Sequence, residues 1–182
     1  MIKEKKHRAI SKYLASYSEK EAALTLPDKK YEYCLVIPAF KETQKSVVNV
    51  WREIKPNTSF LVILVINSDK AEDKSARILF DAIMKNNPAQ RLTDQIQLVH
   101  SRENSMDPDI LIVDRFSLCR VIPKKQGVGL ARKIGMDIAT SLISQGTISR
   151  EWLFTTDADA KLPINYFNIA TSASDAAVVH PF

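Results

Sequence analysis

The chain alternates short, uninterrupted apolar runs with longer segments in which apolar residues recur every three or four positions. Tyr33-Cys34-Leu35-Val36-Ile37 and Phe60-Leu61-Val62-Ile63-Leu64-Val65-Ile66 are the two strongest runs. Neither alternates with polar residues, so each is expected to be a strand buried on both faces of a parallel sheet. The spacing then changes to that of amphipathic helices. Val47, Val48, Trp51 and Ile54 mark one, closed by Pro56-Asn57. Residues 71–87 mark a second, with Ile78, Leu79, Ala82 and Ile83 inward and Asn86-Asn87-Pro88 ending it. Leu130, Ile134, Ile138 and Leu142, four apart, predict a helix over 128–144. Shorter strands are expected at 96–99, 110–113, 152–154 and 176–179, and a short helix at 166–170. At the start, residues 4–24 read as an appended helix with a stripe of Ile10, Tyr13, Leu14 and Tyr17, and Pro27-Asp28-Lys29-Lys30 reads as a linker. Over residues 106–126 the pattern becomes irregular apart from the run at 110–113, and so long a partly unpatterned connection predicts a functional loop or lid.

Alternating strands and helices predict an α/β sandwich with a mostly parallel sheet over residues 31–182, preceded by the helix and linker of 1–30. Ligands of such sheets bind beyond the carboxyl ends of the strands. Three runs end there in polar or unusual sequence: Pro38-Ala39-Phe40-Lys41-Glu42, Asn67-Ser68-Asp69 and Asp157-Ala158-Asp159. Two carboxylates one residue apart can face a single divalent cation, and their hard oxygens suit Mg²⁺ or Mn²⁺ with a phosphate-bearing substrate. The same pair also fits a helix cap near Pro163 or a solvated loop. Three of the four glycines fall between positions 127 and 135. Gly127 and Gly129 at a helix start suit either a tight turn or the close approach of an anion, which Arg132 can grip from one turn further on. Gly135 suits close packing of the helix on the sheet. No Gly-x-Gly-x-x-Gly follows the first strand and no P-loop is present, which argues against a dinucleotide or NTPase site.

Composition narrows the picture modestly. A hydrophobic fraction of 45% and a charged fraction of 26% over 182 residues predict one soluble globular domain. Cys34 and Cys119 stand at no metal-binding spacing and read as reduced thiols, and no leader-like or membrane-spanning run is apparent, so a cytoplasmic location is expected. The net charge of +5 gathers at Lys3, Lys5, Lys6, Arg8 and Lys12 and again at Arg120, Lys124, Lys125, Arg132 and Lys133. No nucleic-acid motif accompanies it. An anionic substrate, or an anionic membrane surface touched by the first helix, accounts for the charge equally well.

These segments together resemble the family 2 glycosyltransferases of GT-A fold. Val36-Ile37-Pro38-Ala39-Phe40-Lys41-Glu42 is similar to the first-strand signature of that family, and Leu64-Val65-Ile66-Asn67-Ser68-Asp69 to its second-strand segment. Gln126-Gly127-Val128-Gly129-Leu130-Ala131-Arg132-Lys133 resembles its Gly-x-x-x-Ala-Arg-Asn segment, with Lys133 for the usual Asn, and Asp157-Ala158-Asp159 matches its Asp-x-Asp. The resemblance implies a Rossmann-like, nucleotide-sugar-binding sandwich and an inverting glycosyltransferase. UDP- or GDP-linked sugars are the expected donors, and the acceptor is unspecified. Pro38, Ala39 and Glu42 would line the nucleoside pocket, and Asn67 or Asp69 would contact base or ribose. Gly127 and Arg132 would lie near the nucleotide, while Asp157 and Asp159 would hold Mg²⁺ or Mn²⁺ at the diphosphate. Family members continue well beyond the Asp-x-Asp, whereas 23 residues follow Asp159 here, so the chain is expected to be the donor-binding portion of a longer protein, lacking the acceptor part. Asp175 is a poor candidate for the catalytic base. The alternatives are a sugar-phosphate nucleotidyltransferase and a non-catalytic nucleotide-sugar-binding or interaction module.

Overall fold

A computed structural model describes residues 2–27, 29–52, 54, 59–85, 87–102, 107–168 and 177–179. Its strands are β1 (Tyr33–Ala39), β2 (Phe60–Asn67), β3 (Ala89–Arg91), β4 (Ile96–Val99), β5 (Asp109–Arg115) and β6 (Phe154–Thr155). The helices are α1 (Ile2–Ser16), α2 (Gln44–Arg52), α3 (Lys74–Met84) and α4 (Gly127–Ser144), with 3-10 turns at Lys20–Ala22 and Tyr166–Asn168. One sheet holds all six strands in the order β3-β4-β5-β2-β1-β6. β5, β2, β1 and β6 run parallel, while β4 is antiparallel to β5 and β3 to β4. The architecture is therefore an open, mostly parallel α/β sheet, compatible with the Rossmann-like class.

The two continuous apolar runs are β1 and β2, and every residue of β2 is buried. A strand covered on both faces needs apolar side chains in both directions, and the two cores divide them accordingly. Leu35, Ile37, Val62, Leu64 and Ile66 meet Val47, Trp51, Leu79 and Ile83 of α2 and α3 on one face. Cys34, Val36, Leu61, Ile63 and Val65 meet Ala131, Ile134, Ile138 and Leu142 of α4 on the other. Among the described residues no helix is long and apolar enough to cross a membrane.

Several expected boundaries move. The strand expected at 110–113 is the longer β5, whose polar ends Asp109, Asp114 and Arg115 hid its length; it lies in the middle of the sheet. β3 was not foreseen, because Ala89, Gln90 and Arg91 are all exposed and carry no apolar signal. α3 starts later than expected, where the Asp73 carboxylate accepts the Ser75 and Ala76 amides and caps it. Its inward stripe is Ala76, Leu79 and Ile83, and Ile78 is 70% exposed. The expected strand at 176–179 begins outside the described residues, and 177–179 carry no regular structure. The expected helix stops at Pro56-Asn57 and at Asn86 also lie outside the described residues, as do 169 and 170 of the expected 166–170 helix.

The described part of the expected lid is not free. Beyond β5, the Ile122 amide donates to the Ser68 carbonyl at 2.9 Å, Leu118 donates to the Glu72 carboxylate at 2.9 Å, and Arg120 pairs with Asp114 at 2.8 Å. Phe116 and Ile122 are buried. The loops after β2 and β5 thus form one knitted shoulder. The N-terminal segment is likewise held on the domain. Buried Asp137 of α4 accepts the Tyr13 hydroxyl at 2.7 Å, the Glu19 amide at 2.8 Å and the Lys133 ammonium at 2.6 Å.

Gly135 sets the distance of α4 from the sheet. A Cβ there would lie 2.4 Å from Val36 Cγ1 and 3.3 Å from Val65 Cγ2. Gly135→Ala is therefore expected to lower stability by about 1–3 kcal/mol, despite the better helix propensity of Ala, as read by denaturant midpoint. At the opposite, amino-terminal edge, buried Asp109 accepts from Lys29 and Tyr31 side chains at 2.8 and 2.7 Å and from the Ser101 amide at 2.9 Å. Burial alone would raise its pKa, but the bonds from Lys29, Ser101 and Tyr31 outweigh it and hold the carboxyl at about 2, against 3.8 ordinarily. Because the folded value is depressed, this stabilisation is complete above the unfolded pKa and is lost as pH falls through the folded one. Unfolding midpoints should therefore drop between about pH 4 and pH 2, and Asp109→Asn should flatten that slope while costing about 2 kcal/mol at neutral pH.

Candidate functional site at the carboxyl edge of the sheet

The strand order reverses at β1. From β1 the chain passes to β2, crosses to the outer edge at β3, comes back inward through β4 to β5 beside β2, and then runs through α4 on the other face to place β6 on the far side of β1. In open α/β sheets the crevice outside such a reversal is where ligands bind. All three sequence-predicted segments sit along this edge.

At the end of β6 the Thr156 amide donates to the Val36 carbonyl at 3.2 Å, which fixes the exit of β6 against β1. Asp157 and Asp159 are both exposed, and Ala158 between them is buried at 4%. With the intervening side chain turned inward, the two carboxylates project toward solvent. Asp157 caps no helix. Its carboxylate accepts Arg132 Nη2 at 2.5 Å, and Arg132 Nε donates to Thr155 Oγ1 at 3.3 Å. Arg132 and Asp157, 25 positions apart in sequence, are thus brought together. Among the described residues no group of three or more His, Cys, Asp or Glu side chains could hold a metal ion. The two carboxylates still fit Mg²⁺ or Mn²⁺ in kind, since those ions take one or two carboxylates and complete their shell with water and phosphate oxygens.

At the start of α4, Gly127 has φ +40° and the Gln126 side chain caps nothing. A Cβ on Gly127 or Gly129 would meet no atom within 4 Å, so open space adjoins this helix start. Lys133 serves another purpose, being taken up by Asp137, the Tyr17 carbonyl and Glu19.

At the end of β1, Pro38 lies opposite Val65 and Ala39 opposite Ile66, and Ala39 is buried. Alternation puts Pro38 on the α4 face with Val36. Glu42 is half-buried just beyond β1. It accepts the Ser46 hydroxyl at 2.8 Å, and Thr43 and Ser46 exchange backbone-to-hydroxyl bonds of 3.1 Å at the start of α2. At the end of β2, Asn67 is 2% exposed and its Oδ1 has no hydrogen-bond partner. Asp69 is half-buried in a turn held by Ser68, whose hydroxyl accepts the Lys70 amide at 3.1 Å and donates to Asp73 at 3.2 Å. Among the described residues, three non-glycine residues adopt left-handed backbone, Lys41, Glu72 and Cys119, one in each loop after β1, β2 and β5.

Two features of this region escaped the sequence. Arg115, the cross-strand neighbour of Asn67, pairs with buried Glu21 at 2.9 Å, while Glu21 Oε2 and Arg115 Nε lack partners. Nothing in the spacing relates positions 94 apart. A cleft of about 550 Å³ opens between α1 and α4, lined by Ile10, Tyr13, Gly129, Arg132, Met136 and Leu153 among others. The apolar stripe of the first helix was its only visible trace.

Comparison with protein-family models, with curated proteins and with solved structures finds no match. The class shown is thus an α/β protein with an open, mostly parallel sheet. Glu21→Ala is expected to cost about 3 kcal/mol, because it strands the Arg115 charge in a buried position. Replacing both partners, as Glu21→Leu with Arg115→Met, should cost much less in the same denaturation experiment.

Proposed function

We propose that this chain is a nucleotide-sugar-binding domain of a metal-assisted glycosyltransferase resembling family 2, with a GT-A-type site at the carboxyl edge of β1, β2 and β6. The observation that carries the reading is the meeting of Arg132 with the Asp157-Ala158-Asp159 turn at the point where the strand order reverses. A site built for a diphosphate needs a fixed cation and hard anionic metal ligands side by side, and this is that pair. α4 begins at Gly127, and a Cβ on Gly127 or Gly129 would meet no atom within 4 Å, so a helix start with room beside it accompanies this pair. The buried, unpartnered Oδ1 of Asn67 supports the reading further, since an acceptor so placed is satisfied by an N–H or O–H of a base or ribose.

In this reading Pro38 and Ala39 form the floor of the nucleoside pocket, with Asn67 and Asp69 at its side. Asp157 and Asp159 hold Mg²⁺ or Mn²⁺, which when bound offsets charge on the departing diphosphate. Arg132 orients the diphosphate by a forked hydrogen bond and stabilises the negative charge that grows on it as the glycosidic bond breaks. Glu42, oriented by the Ser46 hydroxyl at the entrance of α2, lines the nucleoside pocket.

Calorimetric titration with UDP, GDP and their sugar conjugates, with and without Mn²⁺, tests this directly. Metal-dependent binding selective for one nucleotide is expected, reduced at least about tenfold in Asp157→Ala and Asp159→Ala, a change worth about 1.4 kcal/mol. Undiminished binding in both variants, or none by the folded wild-type chain, contradicts the assignment.

A further inference from the structure

We infer that Arg132 is a latch on Asp157, so that the divalent cation and a diphosphate enter this site together and each promotes the other. The inference rests on the nucleotide-sugar reading above and adds to it how the site is kept closed to metal alone. In the ligand-free protein the guanidinium is held at two points on the β6 edge, Asp157 Oδ1 at 2.5 Å and Thr155 Oγ1 at 3.3 Å. It therefore occupies one of the two carboxylates a cation would use, and its own charge repels that cation. Neighbouring Lys133 offers no replacement, because Asp137, Glu19 and the Tyr17 carbonyl engage its ammonium.

A diphosphate offers the guanidinium a better partner. Its oxygens accept the same forked donors and carry more charge than one carboxylate. Once Arg132 turns to the diphosphate, Asp157 is released beside Asp159, and the cation gains a carboxylate pair as well as phosphate oxygens. The side chains have room for this exchange, with Arg132 at 32% and Asp157 at 60% exposure, and a Cβ on Gly129 one turn earlier would meet no atom within 4 Å. Linkage makes the coupling reciprocal: whatever factor the diphosphate contributes to metal affinity, the metal contributes to diphosphate affinity.

The experiment measures Mn²⁺ binding by electron paramagnetic resonance, and UDP and GDP binding by calorimetry with and without Mn²⁺. It uses wild type, Arg132→Gln and Arg132→Lys, each checked for an unchanged thermal midpoint. Arg132→Gln should bind Mn²⁺ alone about 5- to 10-fold more tightly than wild type, with Arg132→Lys in between. In Arg132→Gln the enhancement of nucleotide affinity by Mn²⁺ should shrink by a similar factor. Simple charge repulsion would instead tighten metal binding both with and without nucleotide, leaving the enhancement intact. Equal or weaker Mn²⁺ binding by Arg132→Gln, or an unchanged enhancement, overturns the latch while leaving the site assignment standing. Failure of wild type to bind either nucleotide with Mn²⁺ overturns the assignment itself.

Discussion

The close contact between Gly135 and Val36 is the constraint on which the arrangement of the edge depends. With no side chain at Gly135, α4 sits directly on β1 and β2, its axis fixed by Ile134, Ile138 and Leu142 in the core. The helix start is then carried to the carboxyl edge, and Arg132 arrives over the exit of β6. A helix held further out would lift the guanidinium away from Thr155 and Asp157. Packing in the interior and chemistry at the edge are thus one problem, solved by one missing methyl group.

The charge of the chain looks different once its partners are known. Of the basic cluster between positions 120 and 133, Arg120 is committed to Asp114, Lys133 to Asp137 and Arg132 to Asp157. Two of these pairs are structural: Arg120 holds the loop after β5, and Lys133 and Asp137, both on α4, together hold Tyr17 and Glu19 of the N-terminal segment. Only the third lies at the proposed site, and both its members are partly exposed. A pair so placed contributes little to stability, which leaves it free to exchange partners. The local excess of positive charge is therefore narrower than the sequence suggests.

What was legible in the sequence follows from what each pattern encodes. Unbroken apolar runs identified β1 and β2 because burial on both faces leaves no polar position to interrupt them. The four-residue spacing of Leu130, Ile134, Ile138 and Leu142 located α4 because a helix presents one stripe to its core. β3 and the ends of β5 were hidden because exposed or ion-paired strand residues obey no apolar period. The edge of the sheet was found from Asp157-Ala158-Asp159 and the glycines, whose placement is local. The Arg132–Asp157, Glu21–Arg115 and Tyr13–Asp137 contacts were not, since each joins residues that only the folded topology brings together. Ile78 was misplaced because the stripe that packs on the core is Ala76, Leu79 and Ile83, which leaves position 78 on the outer side of α3.

The central claim is that the ends of β1, β2 and β6 and the start of α4 form one metal-dependent nucleotide site. Paramagnetic broadening of backbone amide resonances by Mn²⁺ in the presence of UDP or GDP tests it most directly. The account predicts broadening centred on Asp157 and Asp159 and extending to Ala39, Asn67 and Gly129, with Val99 and Asp109 at the opposite edge left sharp. Broadening centred at that opposite edge, or spread without a centre over the exposed carboxylates, would contradict it.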